Sequence, residues 1–428
     1  MHRNKGRRKA EMEKTIYVYD DFGFDRPTLL GKLYINLVKG SESYSFEYDK
    51  EWLQNTNCSV ALDPALQPFG GRQFPAAGNL FGLFADSSPD RWGRILMTRR
   101  ERIIARWENR KPRKLNDGDF LLGVFDETRM GGLRFKDDPN GVFLSDDKEI
   151  STPPWASLRT LEEASRQFEN DEDIQTEKWL NQLLRPGSSL GGARPKANIV
   201  DPNGDLWIAK FPSRNDENNT GAWEKTVHDL AKLCGLNVPE SKLETFSKLG
   251  STFLVKRFDR QNGRRIHFAS AMTLLGKTDG AGAADGTSYL EIVSFIKAGG
   301  ANPQADLVEL WKRIVFGMAV SNTDDHLRNH GFLLQKNGWV LSPLYDVNPV
   351  PYGDDLALNV DEYDSTISVD LAISAASHFG LDAQEAQAQA RNICRTVQKN
   401  WETLAQKHGI PRGKIEDMRP AFRESYVF

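Results

Sequence analysis

Cysteine is scarce. Cys58, Cys234 and Cys394 are the three in 428 residues, widely spaced and odd in number, with no CxxC pair and no Cys/His cluster. That excludes a disulfide scaffold and a zinc site of ordinary spacing, and it fits a reducing compartment. No run of about eighteen apolar residues occurs, so a membrane-spanning helix is not expected. The basic first residues lack the apolar stretch of a signal peptide. A cytoplasmic protein with no membrane partner is the expectation. No internal repeat is present, and neither sign of charge dominates. The formal charge is −3, which gives no overall basic field to draw the chain onto nucleic acid. The balance is uneven, because residues 1–14 carry six Lys/Arg against two Glu, or +4, leaving about −7 on the remainder. What is present is ordinary globular material: 39% hydrophobic and 27% charged residues, with 23 Phe, 10 Tyr and 10 Trp. Disorder is excluded by that composition. The length allows about two or three domains at ~150 residues each.

Three zones appear along the chain. Residues 1–14 read as a basic flexible extension. Between 15 and 136, TIYVYDD, GKLYINLV and SYSFEYD alternate apolar and polar residues as strands do. A helical pattern follows at Pro89–Trp107, then strand-like GVFDE and GGLRF. A small β-rich domain with some helix is expected here. The polar, turn-rich stretch 137–154 is the candidate linker. From 155 to 428 the chain reads as one unit. Helix is expected over about 155–184, then short strands at Lys196–Val200, Leu206–Phe211, Lys242–Phe246 and Ser251–Phe258. Beyond about residue 268 the spacing is helical (Tyr289–Lys297, Ala305–Asn322, Ile367–Phe379, Ala383–His408), interrupted by a hairpin turning at Asn337–Gly338. A mixed lobe followed by a helical lobe makes a cleft where ligands bind.

Four segments carry chemistry. Gly187–Lys196 (GSSLGGARPK) is small and glycine-rich, so its backbone N–H groups could converge on an anion; a tight turn into a strand explains it equally well. It is neither a Walker A loop nor GxGxxG. Lys210 ends an apolar strand, LWIAK, and needs a counter-charge if buried; Glu224 in the next helix is the candidate. An edge-strand surface lysine is the bland reading. Ser321–Gly331 (SNTDDHLRNHG) packs two carboxylates, two imidazoles and an Asn behind an apolar helix. Asp324 and Asn329 stand five apart, the spacing of the kinase catalytic aspartate and its metal-holding asparagine. A capped helix end would look similar. Asp346 lies seventeen residues beyond Asn329 across the expected hairpin, so the two could share Mg²⁺ through oxygen ligands.

Taken in order, these segments resemble the HipA-type toxin kinases, the serine/threonine kinases of bacterial type II toxin–antitoxin pairs. SYSFEYDKEWL, the Phe81–Asp90 stretch and MGGLRF look like the family's N-terminal subdomain. SSLGGARPKA, IAKFP, GLNVPES, VKRFDR, NTDDHLRNHGF and LSPLYDV follow in the family's order, so the resemblance spans nearly the whole chain. It implies an α+β fold: a small β-rich N-terminal domain, then a bilobal kinase-like domain whose C-terminal lobe is mostly helical.

The resemblance also implies roles. Ser189 matches the autophosphorylated loop serine, and Gly191, Gly192, Ala193 and Lys196 belong to the loop that would cover the ATP phosphates. Lys210 matches the phosphate-binding lysine. Lys256 and Phe258 fall where the hinge would meet adenine. Asp324 matches the catalytic aspartate, and Asn329 and Asp346 match the Mg²⁺-holding pair. His326 sits among the ATP-binding residues, with loop support as its other role. Asp325 is a departure, since some relatives carry a small residue there. The implied partners are a small DNA-binding, HipB-like antitoxin, with DNA reached only through it, and a protein substrate of translation such as an aminoacyl-tRNA synthetase. A catalytically weak binding partner in a repressor complex and a metal-dependent phosphohydrolase are the alternatives.

Overall fold

The computed structural model describes residues 13–38, 40–55, 60–75, 80–146, 152–170, 183, 192 and 194–428. Its first sheet is antiparallel, built from β1 (Glu13–Asp20), β2 (Thr28–Val38), β3 (Ser41–Tyr48) and, after a helical stretch, β4 (Leu133–Lys136), in the order β3-β2-β1-β4. Alternation does the work the sequence implied: Ile16, Val18, Leu33 and Phe46 face a common core, while Tyr17 and Tyr19 lie partly open. The helix α1 (Arg91–Trp107) starts where the Asp90 carboxylate accepts from the Gly93 N–H, and α2 (Asp117–Gly123) is closed by a capping box of Asn116 and Asp119. GVFDE is not a strand. Gly123 ends α2 and the next residues turn, because the Arg129 guanidinium, fully buried, collects the carbonyls of Ser87, Leu121 and Val124.

The expected linker is tied down in its described part. Leu144 donates to the Phe135 carbonyl, Thr152 Oγ1 donates to Glu127 at 2.6 Å, and Pro154 bridges to Val200. Helix α3 (Leu158–Asn170) follows; residues 171–182 and 184, the rest of the expected helical stretch apart from the helical Leu183, fall outside the described residues. The second sheet runs β5-β6-β8-β7 from β5 (Lys196–Val200), β6 (Leu206–Lys210), β7 (Ser241–Ser247) and β8 (Gly250–Lys256), with α4 (Thr220–Leu233) between β6 and β7. Gly221 on α4 is required by closeness: a Cβ there would stand 2.1 Å from the Ser251 carbonyl oxygen.

Beyond the third sheet's first strand, β9 (Phe268–Ser270), helices α5 (Tyr289–Gly299) and α6 (Pro303–Ala319) build the second lobe. The hairpin β10 (Gly331–Gln335) and β11 (Gly338–Leu341) pairs Gln335 with Gly338, so its loop is Lys336–Asn337 and Gly338, at φ +134°, closes it. The turn thus lies one residue earlier than expected. Ile367–Phe379 is not one helix: Val369–Ser374 is helical and Ala376–Phe379 is a tighter 3₁₀ turn. Next comes α7 (Ala383–Lys407), whose Trp401 stacks on Phe422 of the closing 3₁₀ segment Arg419–Tyr426 with centroids 4.2 Å apart. Among the described residues no helix is long and apolar enough to cross a membrane.

One core joins the first sheet to the helical lobe, running from Ile16 and Phe84 to Trp311 and Phe422. Polar contacts reinforce the junction on both sides of the cleft. Lys196 of β5 meets Asp90 at 2.8 Å, and Asp86 accepts from the backbone N–H of Ser270 at 2.7 Å.

Candidate active site

Between the second sheet, α4 and the segment Leu344–Val347 lies a cleft of about 660 Å³. Ile208, Val227, Phe253, Val255, Leu344 and Val347 make its walls apolar. Charge is concentrated at one end. Lys210, at the last position of β6, is mostly buried, and its Nζ lies 2.5 Å from Glu224 Oε1 and 2.6 Å from Asp346 Oδ1. Glu224 is fixed because α4 starts at the Asn219 cap and turns that face toward β6. Burial opposes the lysine's charge, but Asp346 and Glu224 outweigh it and hold the ammonium more strongly protonated than usual. Asp346 is likewise opposed by burial, yet Lys210 holds its carboxyl down at about 2. Glu224 moves up, because burial and the nearby Asp346 charge exceed its share of Lys210. The lysine therefore stands ready charged, with a carboxylate on each side.

Asp346 has φ +57°, in the left-handed region where Asp is tolerated but rarely found. Such a backbone persists only where its surroundings enforce it. Here they do: Leu344 donates to the Asn237 carbonyl, Tyr345 Oη donates to the Arg328 carbonyl at 2.6 Å, and Asn348 N–H donates to Asn322 Oδ1.

A depressed carboxyl adds stability that is present above the ordinary value near 4 and lost as pH falls through about 2. A drop from 3.8 to about 2 corresponds to ~2 kcal/mol. The stability difference between the parent and Asp346→Asn should therefore shrink by about that much from pH 5 to pH 2. Urea unfolding at both pH values reads it. A difference that stays constant would show that Lys210 does not lower this carboxyl.

The loop after α6 supplies the second half of the site. Ser321 enters it at φ +48°. Asp324 is exposed, its side chain 85% accessible, and its backbone carbonyl accepts from Asn329 Nδ2 at 2.8 Å. Partial burial raises its carboxyl, and Asp346 and Asp325 raise it further against the pull of His326. Asn329 is buried beneath it. Its NH₂ donates to that carbonyl, which leaves its Oδ1 as the atom suited to a cation. His326 Nε2 lies 4.0 Å from Asp324 Oδ1. The loop's shape depends on Asp325, which is buried and accepts from Tyr289 Oη at 2.5 Å and His330 Nε2 at 3.1 Å. A small residue could not make these bonds, so this departure is a structural anchor. Gly353 completes the mouth, since a Cβ there would stand 2.1 Å from Thr323 Cγ2.

The structure thus brings together Lys210, Asp324, Asn329, Asp346 and His326, with Lys256 and Phe258 on the cleft's far rim. Phe258 packs against Tyr345 at 5.5 Å. Lys256 directs its Nζ to Asp205 and its backbone N–H to the Glu240 carbonyl. Lys196 is a correction. It lies in β5 rather than in a loop over the phosphates, is 1% exposed, and commits its ammonium to Asp90 and the Gly192 carbonyl at 2.8 Å each. Burial is the reason: a free ammonium there would need a counter-charge, and the first sheet's helix provides it. Gly192 is exposed. Ser189, Gly191 and Ala193 lie outside the described residues. Glu224, Asp325 and Tyr345 complete the site; an acid in the helix after a lysine-tipped strand signals the first, while local sequence signals neither of the others.

The residues fit a nucleotide and a hard cation. Asn329 and Asp346 offer oxygen donors only, and among the described residues no cluster of three or more His, Cys, Asp or Glu stands ready to hold a metal by itself. Mg²⁺ is bound in that way, by one or two protein oxygens plus substrate phosphates.

Comparison with known proteins agrees with this geometry. Residues 188–401 match the family model described as the HipA-like C-terminal domain, and residues 29–136 match the HipA N-terminal domain. A putative kinase of Haemophilus influenzae is 30% identical over 187 residues, 39% of this chain and 54% of that protein. The putative kinase Y4mE of Sinorhizobium fredii is 29% identical over 191 residues, 39% of this chain and 43% of that protein. The chain spans about half the length of the curated relatives it matches. The HipA of a Shewanella oneidensis MR-1 toxin–antitoxin system, solved with HipB and its operator DNA, superposes with a TM-score of 0.68 at 19% identity. That likeness covers 96% of this chain and 97% of that one, and it is a likeness of fold.

Proposed function

The chain belongs to the HipA family, and from that premise we propose that it is an ATP-dependent serine/threonine protein kinase, the toxin of a type II toxin–antitoxin pair. One observation carries the reading: Lys210, clasped between Glu224 and Asp346 at the closed end of an apolar cleft, with Asp324 exposed at the mouth. Apolar walls suit the adenine ring, and a charged lysine suits the phosphates. Asn329 and Asp346 would hold Mg²⁺, which when bound neutralises phosphate charge. Asp324 aligns the attacking hydroxyl and accepts its proton. Positioning and electrostatics account for the catalysis, with no covalent intermediate on the protein.

Ser189 is the proposed site of autophosphorylation. A phosphate there adds roughly −1.5 to −2 charges to the loop that meets the ATP phosphates, so it switches the kinase off. The proposed partner is a HipB-like antitoxin that links the chain to operator DNA; the Shewanella HipA was solved in such an assembly. The proposed substrate is a protein of translation, with an aminoacyl-tRNA synthetase the class implied by resemblance.

Incubation of the full chain with γ-labelled ATP and Mg²⁺ tests the reading. Label on Ser189 supports it, whereas free phosphate alone identifies a hydrolase and no turnover identifies a binding protein. The Ser189→Asp variant should bind ATP at least ~10-fold more weakly than the parent. Equal binding would sink the switch.

A further inference from the structure

A net charge of −3 conceals a strongly basic surface. Residues 91–114, which are α1 and the stretch after it, hold ten Lys/Arg and two Glu, or +8. Four of the ten are engaged. Arg94 meets Asp117 at 2.8 Å, Arg110 meets Glu101 at 2.6 Å, and Arg113 meets Asp119 at 2.7 Å. Arg99 donates to the Phe168 carbonyl and covers that ring. Arg91, Arg100, Arg102, Arg106, Lys111 and Lys114 are exposed, and among the described residues none has a carboxylate partner.

Their placement is ordered. At ~100° per residue, Arg91, Arg102 and Arg106 fall within about 60° of one another on the helix surface. They extend along ~22 Å of axis at ~1.5 Å per residue. The opposite face is taken: Trp92 and Leu96 are buried with Ala164 and Phe168. The free face is thus a line of guanidiniums on a rigid, docked helix. Such cations repel one another unless a polyanion neutralises them, and the guanidinium fork suits phosphate oxygens. A membrane surface fits poorly, because an interfacial helix needs a broad apolar face and here Ile95 is the apolar residue among the arginines.

We propose that the exposed face of α1, continued by Lys111 and Lys114, binds the phosphate backbone of duplex DNA without reading its sequence. Over ~22 Å a duplex presents about 13 phosphate charges at one per ~1.7 Å, a ladder of the same length as the arginine line. The inference is independent of the catalytic reading, and it gives the chain a DNA contact of its own.

Fluorescence anisotropy with the full chain and a labelled duplex of arbitrary sequence tests it, between about 50 and 200 mM salt. The parent should bind with a steep salt dependence. The variant Arg102→Gln/Arg106→Gln/Lys111→Gln should lose at least ~10-fold in affinity at the lower salt, and its log–log salt slope should fall by about 2.7, or ~0.9 for each cation removed. These side chains are exposed, so an unchanged thermal midpoint checks that the fold survives. A control variant, Lys232→Gln/Lys248→Gln/Lys336→Gln, removes three exposed charges elsewhere and should bind as the parent does. No binding by the parent, an unaltered slope in the α1 variant, or an equal loss in the control would overturn the proposal. So would poly-glutamate binding as tightly as the duplex.

Discussion

Asp324→Asn should leave ATP binding within about threefold of the parent while phosphoryl transfer falls by ~10²–10⁴-fold, the usual worth of a positioned proton acceptor. The split follows from the geometry. Asp324's side chain is exposed, whereas Lys210 and Asp346, the charges proposed to meet the nucleotide, are more buried. Its anchoring contact runs through its backbone carbonyl to Asn329, and the substitution keeps that bond. An amide of the same shape still accepts a hydrogen bond but cannot take the hydroxyl proton at neutral pH. Single-turnover transfer and equilibrium ATP titration, measured on the same preparation, separate the two effects. Loss of both together would mean that Asp324 holds the loop rather than the proton.

The second large effect lies away from the chemistry. Asp259 is completely buried and accepts from Arg257 at 2.6 and 2.8 Å, from Arg260 at 2.7 Å and from the Gly131 N–H at 2.9 Å. Burial works against its charge, and the two guanidiniums overcome it, holding the carboxyl well below the usual range. Asp259→Ala leaves two largely buried cations without their shared counter-charge, so it should destabilise the fold by ~3–5 kcal/mol. Urea unfolding of the full chain measures the loss, and Asp259→Asn, which keeps the shape and part of the bonding, should lose less. A shift under ~1 kcal/mol in both variants would show that water or a shifted partner compensates.

Much of this could be read from local pattern. Strand alternation placed the first sheet, because one face of each strand must be buried. A lysine ending an apolar strand pointed to Glu224, and the Asp324–Asn329 spacing marked the loop that the structure sets beside them. Residues joined only by tertiary structure were illegible. Asp90 reads locally as a helix cap, and nothing nearby shows that its carboxylate also neutralises Lys196, 106 residues later. Asp325 reads as a second loop acid, whereas its partner Tyr289 lies 36 residues upstream. The arginine line on α1 was lost in the total charge, since a sum discards position.

The contacts of Asp90 with β5 and of Asp86 with Ser270 have a consequence for inheritance. Because the N-terminal domain shares a core with the rest of the chain and holds β5 and β9 through Asp90 and Asp86, an N-terminal domain swapped in from a relative should fold onto this chain only if it brings both carboxylates. A substitution at Asp86 or Asp90 strands its partner at Ser270 or Lys196, so such changes are expected to be tolerated only in matched pairs across the two halves.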